Sequence, residues 1–165
     1  MKELDFRTDV LPLKDKIFRL ALCITFDREE SEDITQDTLV RVWERRNEWH
    51  QIENIEAYCL TICRRMAVDY VRKKKLKSDK EQDIANYQFS FVHTETTPDE
   101  ILDQRQRVMA VQQLIDQLPE VQRTIIQLRD IEGMRYDEIA LSTGLTETQV
   151  KVYLHRARKK IRENL

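Results

Sequence analysis

The chain has 165 residues, 35% of them charged, with a net charge of −2 and only two glycines and three prolines. That composition excludes a sheet-rich architecture and favours long helices on short connections, in one domain or two small ones. A chain that is not basic overall binds nucleic acid only through local segregation of charge, and no run is apolar or long enough to span a bilayer.

The N-terminus, Met1 to Phe6, lacks the apolar core of a signal peptide, so a cytoplasmic protein is expected. The 3.6-residue period predicts a first helix over Pro12–Phe26, with Leu13, Ile17, Leu20, Ala21 and Ile24 as its apolar stripe. A second helix is predicted over Glu29–Arg46, with Ile34, Leu39, Val42 and Trp43 as core. A polar connection, Asn47 to Asn54, leads to a third helix over Ile55–Lys75, whose buried face is expected to include Tyr58, Ile62, Met66 and Tyr70. These helices form one N-terminal bundle. Cys59 and Cys63 lie one helical turn apart, the spacing of a metal or redox pair. No other Cys or His stands at ligand spacing, so these and Cys23 read as buried structural thiols, and neither a metal nor a cofactor is expected.

From Leu76 to Pro98 the helical period is lost, and the stretch reads as a linker. Within it Tyr87, Phe89, Phe91 and Val92 alternate like a short strand, or dock on a domain or partner. A second unit begins at Asp99 with a helix over Glu100–Gln117 carrying Ile101, Val108, Val111, Leu114 and Ile115. Leu118-Pro119 breaks it, and Pro119 suits the first turn of the next helix. That helix holds Val121, Ile125, Ile126 and Leu128 and ends near Gly133.

The last thirty residues are the most informative. Tyr136 onward reads as a short helix, a turn at Gly144 and a longer basic helix. Thr146 is a good N-cap, and Gln149 three residues on completes a capping box. Val150, Leu154, Ala157 and Ile161 fall on one face. Lys151, His155, Arg156, Arg158, Lys159 and Arg162 spread over the rest. The N-terminal half of such a helix suits a major groove and the C-terminal half suits phosphates. Against a solvated amphipathic helix at a chain end, the capping, the glycine turn and the basic face all agree with a DNA-binding helix-turn-helix.

With these elements in place, the chain resembles an extracytoplasmic-function (ECF) sigma factor of bacterial RNA polymerase. The resemblance covers nearly the whole chain. In the N-terminal half it rests on Ser31 to Thr38, on Arg41-Val42-Trp43, on Glu56 to Arg65 and on Ala67 to Arg72; in the C-terminal half, on Leu118 to Arg123, on Asp130 to Ala140 and on the capped basic helix. It implies an all-α protein of two small helical domains: residues 1–76 as sigma domain two, 77–98 as the linker, and 99–165 as sigma domain four, the helix-turn-helix.

It also assigns roles. Asp33, Gln36, Asp37, Val40, Arg41 and Glu44 share one face of the second helix, opposite its core stripe. Taken alone, that face reads as solvated and laced with i,i+4 links. The resemblance implies that Asp33, Gln36, Asp37 and Arg41 dock on a coiled coil of the clamp of the largest core polymerase subunit. It further implies that the third helix meets the upstream edge of the transcription bubble, with Arg64, Arg65, Arg72, Lys73 and Lys74 on the DNA backbone. The preceding loop would receive a flipped base, stacked by Trp49 and His50 and read by Asn47 or Gln51. For Trp49 a second reading stands beside this one, in which the ring caps the bundle core. At the upstream promoter element the base-reading positions would be Lys151, Val152, His155 and Arg156. Arg158 and Lys159 would hold phosphate, with Thr146 and Thr148 reaching phosphate through the helix end.

Three departures from the family pattern are visible. The extra leading helix of many members has little counterpart here. Arg65 replaces an asparagine common in the third helix. Val152 and Tyr153 replace the polar pair usual in the reading helix. The resemblance implies a monomer when free, an anti-sigma partner and no small-molecule substrate.

Two other functional classes are weighed beside it. A stand-alone helix-turn-helix regulator would be a dimer that binds palindromic DNA tightly without polymerase. A helical enzyme would need a nucleophile with its base, or a metal cluster, and neither is evident. Asp33 and Asp37 sharing a metal is the nearest approach, and a partner-docking face accounts for them more simply.

Overall fold

Seven α-helices account for nearly all regular structure in the computed structural model, which describes residues 3–77 and 98–165. α1 (Lys14–Thr25), α2 (Arg28–Glu44) and α3 (Ile55–Lys77) pack as the N-terminal bundle. α4 (Pro98–Asp116), α5 (Glu120–Ile126), α6 (Tyr136–Thr143) and α7 (Glu147–Glu163) form the C-terminal unit. The all-helical expectation holds, and no helix among the described residues is long and apolar enough to cross a membrane. The alternating run Tyr87, Phe89, Phe91 and Val92 lies outside the described residues.

α1 buries the expected stripe of Ile17, Leu20, Ala21 and Ile24. It ends at Phe26, a left-handed C-cap at φ +55° whose N–H donates to the Leu22 carbonyl. One residue later Asp27 caps α2, its carboxylate accepting from the Glu30 N–H at 3.1 Å.

The core face of α2 differs from the apolar expectation. Ile34 and Val42 are buried, but so are Ser31, Thr35 and Thr38. Their hydroxyls donate to the carbonyls four residues back, Asp27, Ser31 and Ile34, at 2.6 to 2.7 Å. Each buried hydroxyl is thereby satisfied within its own helix, and the small side chains allow close packing. Trp43, expected in the core, is 46% exposed. It lies edge-on to Phe6 and to Trp49, at 5.3 Å and 6.4 Å between ring centroids, under the Arg46 guanidinium at 4.4 Å.

On α3 the buried stripe is rotated from expectation. Ala57, Leu60, Cys63 and Ala67 are fully buried, whereas Tyr58, Ile62, Met66 and Tyr70 flank them half-buried. Short side chains let α1 and α3 approach closely, and the longer amphipathic ones cover the edges of the contact. Cys59 and Cys63 are buried thiols; burial pushes both up to about 12, and Cys63 donates to the Ile17 carbonyl.

In the C-terminal unit Ile115, Leu118, Ile125, Ile126, Leu128, Met134, Ile139, Val150, Leu154 and Ala157 are buried. Val108, expected on the α4 stripe, is 42% exposed, because that stretch of α4 overhangs an open apolar groove toward α7. A π-turn over Gln127–Ile131 continues α5 and closes at Gly133, φ +71°.

The two units are packed against each other. Arg123 of α5, 7% exposed, donates through Nε to the Cys23 carbonyl at 2.6 Å and through Nη1 to the Leu118 carbonyl at 2.8 Å. Its guanidinium also lies 4.6 Å from the Phe26 ring centroid. Arg19 forms a two-pronged pair with Glu132 at 2.6 and 2.9 Å, and Arg64 pairs with Glu120 at 3.2 Å.

Candidate nucleic-acid interface

The helix-turn-helix is built as its residues dictate. Gly144 takes φ +74°, the left-handed conformation an L side chain resists, and its N–H closes on the Ala140 carbonyl. Two residues on, Thr146 caps α7. Its hydroxyl accepts from the Gln149 N–H at 3.1 Å, and the Gln149 side chain accepts from the Thr146 N–H at 3.0 Å. Val150, Leu154 and Ala157 anchor the helix in the core, so its rotation is set. Thr148, Lys151, Val152, His155 and Arg156 are then all solvent-facing.

Not every basic group on α7 is equally available. Lys151 lies 5.5 Å from the Tyr136 ring centroid. Arg158 is tied to Asp130 in a two-pronged pair at 2.5 and 3.2 Å, which raises its pKa further. Lys159 makes a loose i,i+4 contact with Glu163 at 3.9 Å. His155 and Arg156 have no ion-pair partner among the described residues and project freely. Thr146 uses its hydroxyl for the cap.

In the N-terminal bundle Asp33, Gln36, Asp37 and Arg41 are all exposed on the outer face of α2. The field there is acidic: the Glu30 carboxyl is held above its ordinary value, first by burial and then by the neighbouring carboxylates of Asp33, Asp27 and Asp37.

The connection 46–51 is a 3-10 turn. Asn47, His50 and Gln51 are exposed on it, whereas Trp49 is 7% exposed and donates its indole N–H to the Val42 carbonyl at 2.9 Å. In this conformation Trp49 caps the bundle core and offers no open ring face. Trp43, which sequence reasoning placed inside, is the exposed aromatic beside this turn.

α3 carries its candidate residues in two sets. Arg65, Lys73 and Lys74 are exposed, and among the described residues Arg72 pairs only with Asp69, at 3.0 Å on the same helix. Lys74 stands 5.9 Å from the Tyr70 ring centroid, and the Tyr70 hydroxyl donates to Asp27 at 3.0 Å. Thr61 and Arg64 face the C-terminal unit instead, meeting the Ser142 carbonyl at 3.3 Å and Glu120 at 3.2 Å. Arg64 Nε is buried without a hydrogen-bond partner among the described residues, so Glu120 satisfies that side chain only in part. Sequence reasoning gave no sign of Glu120, Arg123 or Glu132 as contacts, because nothing local links them to α1 or α3. Nor does any group of three or more His, Cys, Asp or Glu stand at metal-binding distance among the described residues.

Comparisons with known proteins bear on both halves. The family model for Sigma-70 region 2 matches residues 10–77, and that for Sigma-70, region 4 matches residues 108–161. The chain is 27% identical over 157 residues to the ECF RNA polymerase sigma factor SigE of Mycolicibacterium smegmatis, covering 92% of this chain and 58% of SigE. It is 26% identical over 153 residues to the ECF sigma factor SigX of Bacillus subtilis, covering 90% of this chain and 77% of SigX. Among solved structures, the sigma factor RpoE of Bartonella quintana, crystallised with the anti-sigma factor NepR, shares the fold. The TM-score is 0.75 at 21% identity, over 96% of this chain and 95% of that one.

Proposed function

Because the chain belongs to the ECF branch of the sigma-70 family, with its regions 2 and 4, we propose that it binds core RNA polymerase and directs the enzyme to promoters through two separated DNA contacts. The observation that carries this reading is the pairing of two surfaces on one chain: the exposed face of Asp33, Gln36, Asp37 and Arg41 on α2, and the anchored α7 with Lys151, Val152, His155 and Arg156 outward.

In this reading the α2 face docks on the clamp coiled coil of the largest polymerase subunit. Arg64, Arg65, Arg72, Lys73 and Lys74, with Asn47 and His50 of the turn, hold the downstream promoter element as it opens. Trp49 joins them only if the turn rearranges to free its ring from Val42. α7 reads the upstream element, with Arg158 and Lys159 on phosphate and Thr146 and Thr148 at the helix end. Residues 1–76 and 99–165 act as separate domains joined by 77–98. Each DNA contact alone is weak at physiological salt. Tethering both to one polymerase raises their joint affinity by avidity. The chain acts in the cytoplasm, as a monomer when free.

The packing of the units covers Thr61 and Arg64, so engagement of the downstream element requires them to separate. An anti-sigma partner that masks both units is part of the proposal; the complex of Bartonella quintana RpoE with NepR supports it.

The test is binding of fluorescently labelled chain to purified core polymerase. Charge reversal at Asp33 and Asp37 together is expected to weaken binding at least tenfold while leaving helical content unchanged. Equal binding by the double variant removes the α2 face from the polymerase contact.

A further inference from the structure

An open groove of about 930 Å³ runs between α4 and α7 over the π-turn. Helical spacing lays out its floor. Val108, Val111 and Ile115 follow at i, i+3 and i+7 on α4, and Leu154 and Ile161 stand seven residues apart on α7. Val108 and Ile131 leave 42% and 48% of their surface exposed. Water-facing apolar groups gathered along one groove mark a contact surface, unlike hydrophobic residues scattered singly. The rim is basic. Arg107, Lys151, Arg158 and Arg162 line it with one carboxylate, Asp130, which Arg158 already holds. Arg107 and Arg162 have no ion-pair partner among the described residues. The groove therefore suits an occupant that is apolar along its middle and acidic at its ends.

The chain itself carries such a segment. Residues 78–97 hold Asp79, Glu81, Asp83 and Glu95 against Lys80 alone, a net charge of −3, and between the acids lie Tyr87, Phe89, Phe91 and Val92. The C-terminal end of this segment is fixed at Pro98, where α4 begins. The groove starts at Arg107, nine residues on, about 14 Å along the helix axis. The six residues from Val92 to Pro98 span up to about 20 Å, so the apolar run reaches the groove by doubling back along α4. A tether of this length gives an effective concentration of about a millimolar, which populates even a weak contact. Any separate partner competes with that concentration from solution.

We propose that residues 87–92 of this chain dock in its own groove between α4 and α7, the aromatic side chains on Val108, Val111, Ile131 and Leu154 and the flanking carboxylates on the basic rim. Lys151 and His155 line the same groove and belong to the upstream reading set, so the docked segment competes with DNA for them. The competition rests on the reading of α7 as the DNA helix; the docking does not.

The experiment is methyl NMR of the full chain carrying Ser90→Cys and a nitroxide at that position. Burial pushes the three native thiols up to about 12, so they stay unlabelled at neutral pH. Line broadening is expected at the methyl groups of Val111, Ile115, Leu154 and Ile161, and not at Ile17, Ile24 or Val42 of the N-terminal bundle. Phe89→Ser with Phe91→Ser is expected to lower the docked fraction at least about tenfold, from the phenyl burial lost. Val108→Glu alters the groove at an exposed position and should also release the segment; circular dichroism checks each fold. Both variants keep the tether, so broadening that survives them comes from proximity alone and overturns the docking. Even, weak broadening over both units overturns it too and leaves the groove to another protein. Broadening that passes from a nitroxide-bearing chain to a separate isotope-labelled chain assigns the groove to a second copy instead. Duplex DNA binding at matched salt is read in parallel. Tighter binding by the double phenylalanine variant supports the competition, whereas equal binding with docking intact removes the competition alone. Docking absent with run-off transcription intact sinks this inference and spares the wider reading; docking present with transcription absent does the reverse.

Discussion

Replacing Arg123 with alanine tests how the two units are held. The last carbonyls of α1 have no partner within the helix. Phe26 N–H takes the Leu22 carbonyl, and the Arg123 guanidinium takes that of Cys23 at 2.6 Å, so a side chain 100 residues away caps α1. Its positive charge also complements the helix C-terminus. Truncation removes two short charge-assisted bonds, to Cys23 and Leu118, and the contact with the Phe26 ring. Such bonds contribute about 1.5–3 kcal/mol each when a partner is lost, and release of the buried guanidinium offsets part of that. Of these contacts only the Cys23 bond and the Phe26 contact cross between the units, so a net loss of about 1.4 kcal/mol between them follows, roughly a tenfold shift toward separated units. Small-angle scattering should then report a larger radius of gyration at unchanged helical content, and Cys23, whose thiol lies 3.7 Å from the Arg123 carbonyl, should become alkylated faster. Arg123→Lys keeps the charge without the fork and should fall between. An unchanged radius together with unchanged Cys23 reactivity in Arg123→Ala would refute the clamp.

Three further outcomes are expected. Thr146→Ala removes the α7 cap and should cost about 1 kcal/mol in thermal unfolding, and Gly144→Ala, forced into the left-handed region, about 1–2 kcal/mol; no change in either would mean the turn is not held as described. Asp27 is held below its ordinary value, first by the Glu30 N–H and also by the Tyr70 hydroxyl. The unfolded chain therefore takes up this proton before the folded one does. The stabilisation is present above the ordinary carboxylate value, near pH 4, and is lost as pH falls through the lower folded value. Asp27→Asn retains a capping oxygen and should flatten that acid limb of the stability curve; an unaltered limb would remove Asp27 from it. Burial pushes all three thiols up to about 12, so a thiolate-selective reagent at neutral pH should modify Cys59 and Cys63 only at the rate of unfolding.

Local chemistry was the most legible part of the sequence. Thr146, Gln149 and Gly144 specify the turn and its cap within six residues, and the structure forms both bonds. The outer face of α2 was also legible, because Asp33, Gln36, Asp37 and Arg41 share one side by period alone. Its inner face was not. Ser31, Thr35 and Thr38 look polar in sequence, and only the bonds to carbonyls four residues back make them core residues. On α3 the apolar pattern favoured large side chains, whereas close approach to α1 selects Ala57, Cys63 and Ala67. Trp43 and Trp49 are equally apolar by composition; the indole bond to Val42 decides which one is buried. Contacts such as Arg19 with Glu132 and Arg64 with Glu120 join residues 113 and 56 positions apart, and no local signal foretells them.

The central claim is that this chain gives RNA polymerase its promoters, and multi-round run-off transcription tests it most directly. Purified bacterial core polymerase is offered a library of promoter fragments with and without the chain. The account predicts discrete transcripts only when the chain is present, with shared upstream sequences and with loss of the transcripts when Lys151, His155 and Arg156 are replaced together. No transcripts, with tight binding of the chain alone to palindromic fragments, would contradict it and identify a dimeric helix-turn-helix regulator instead.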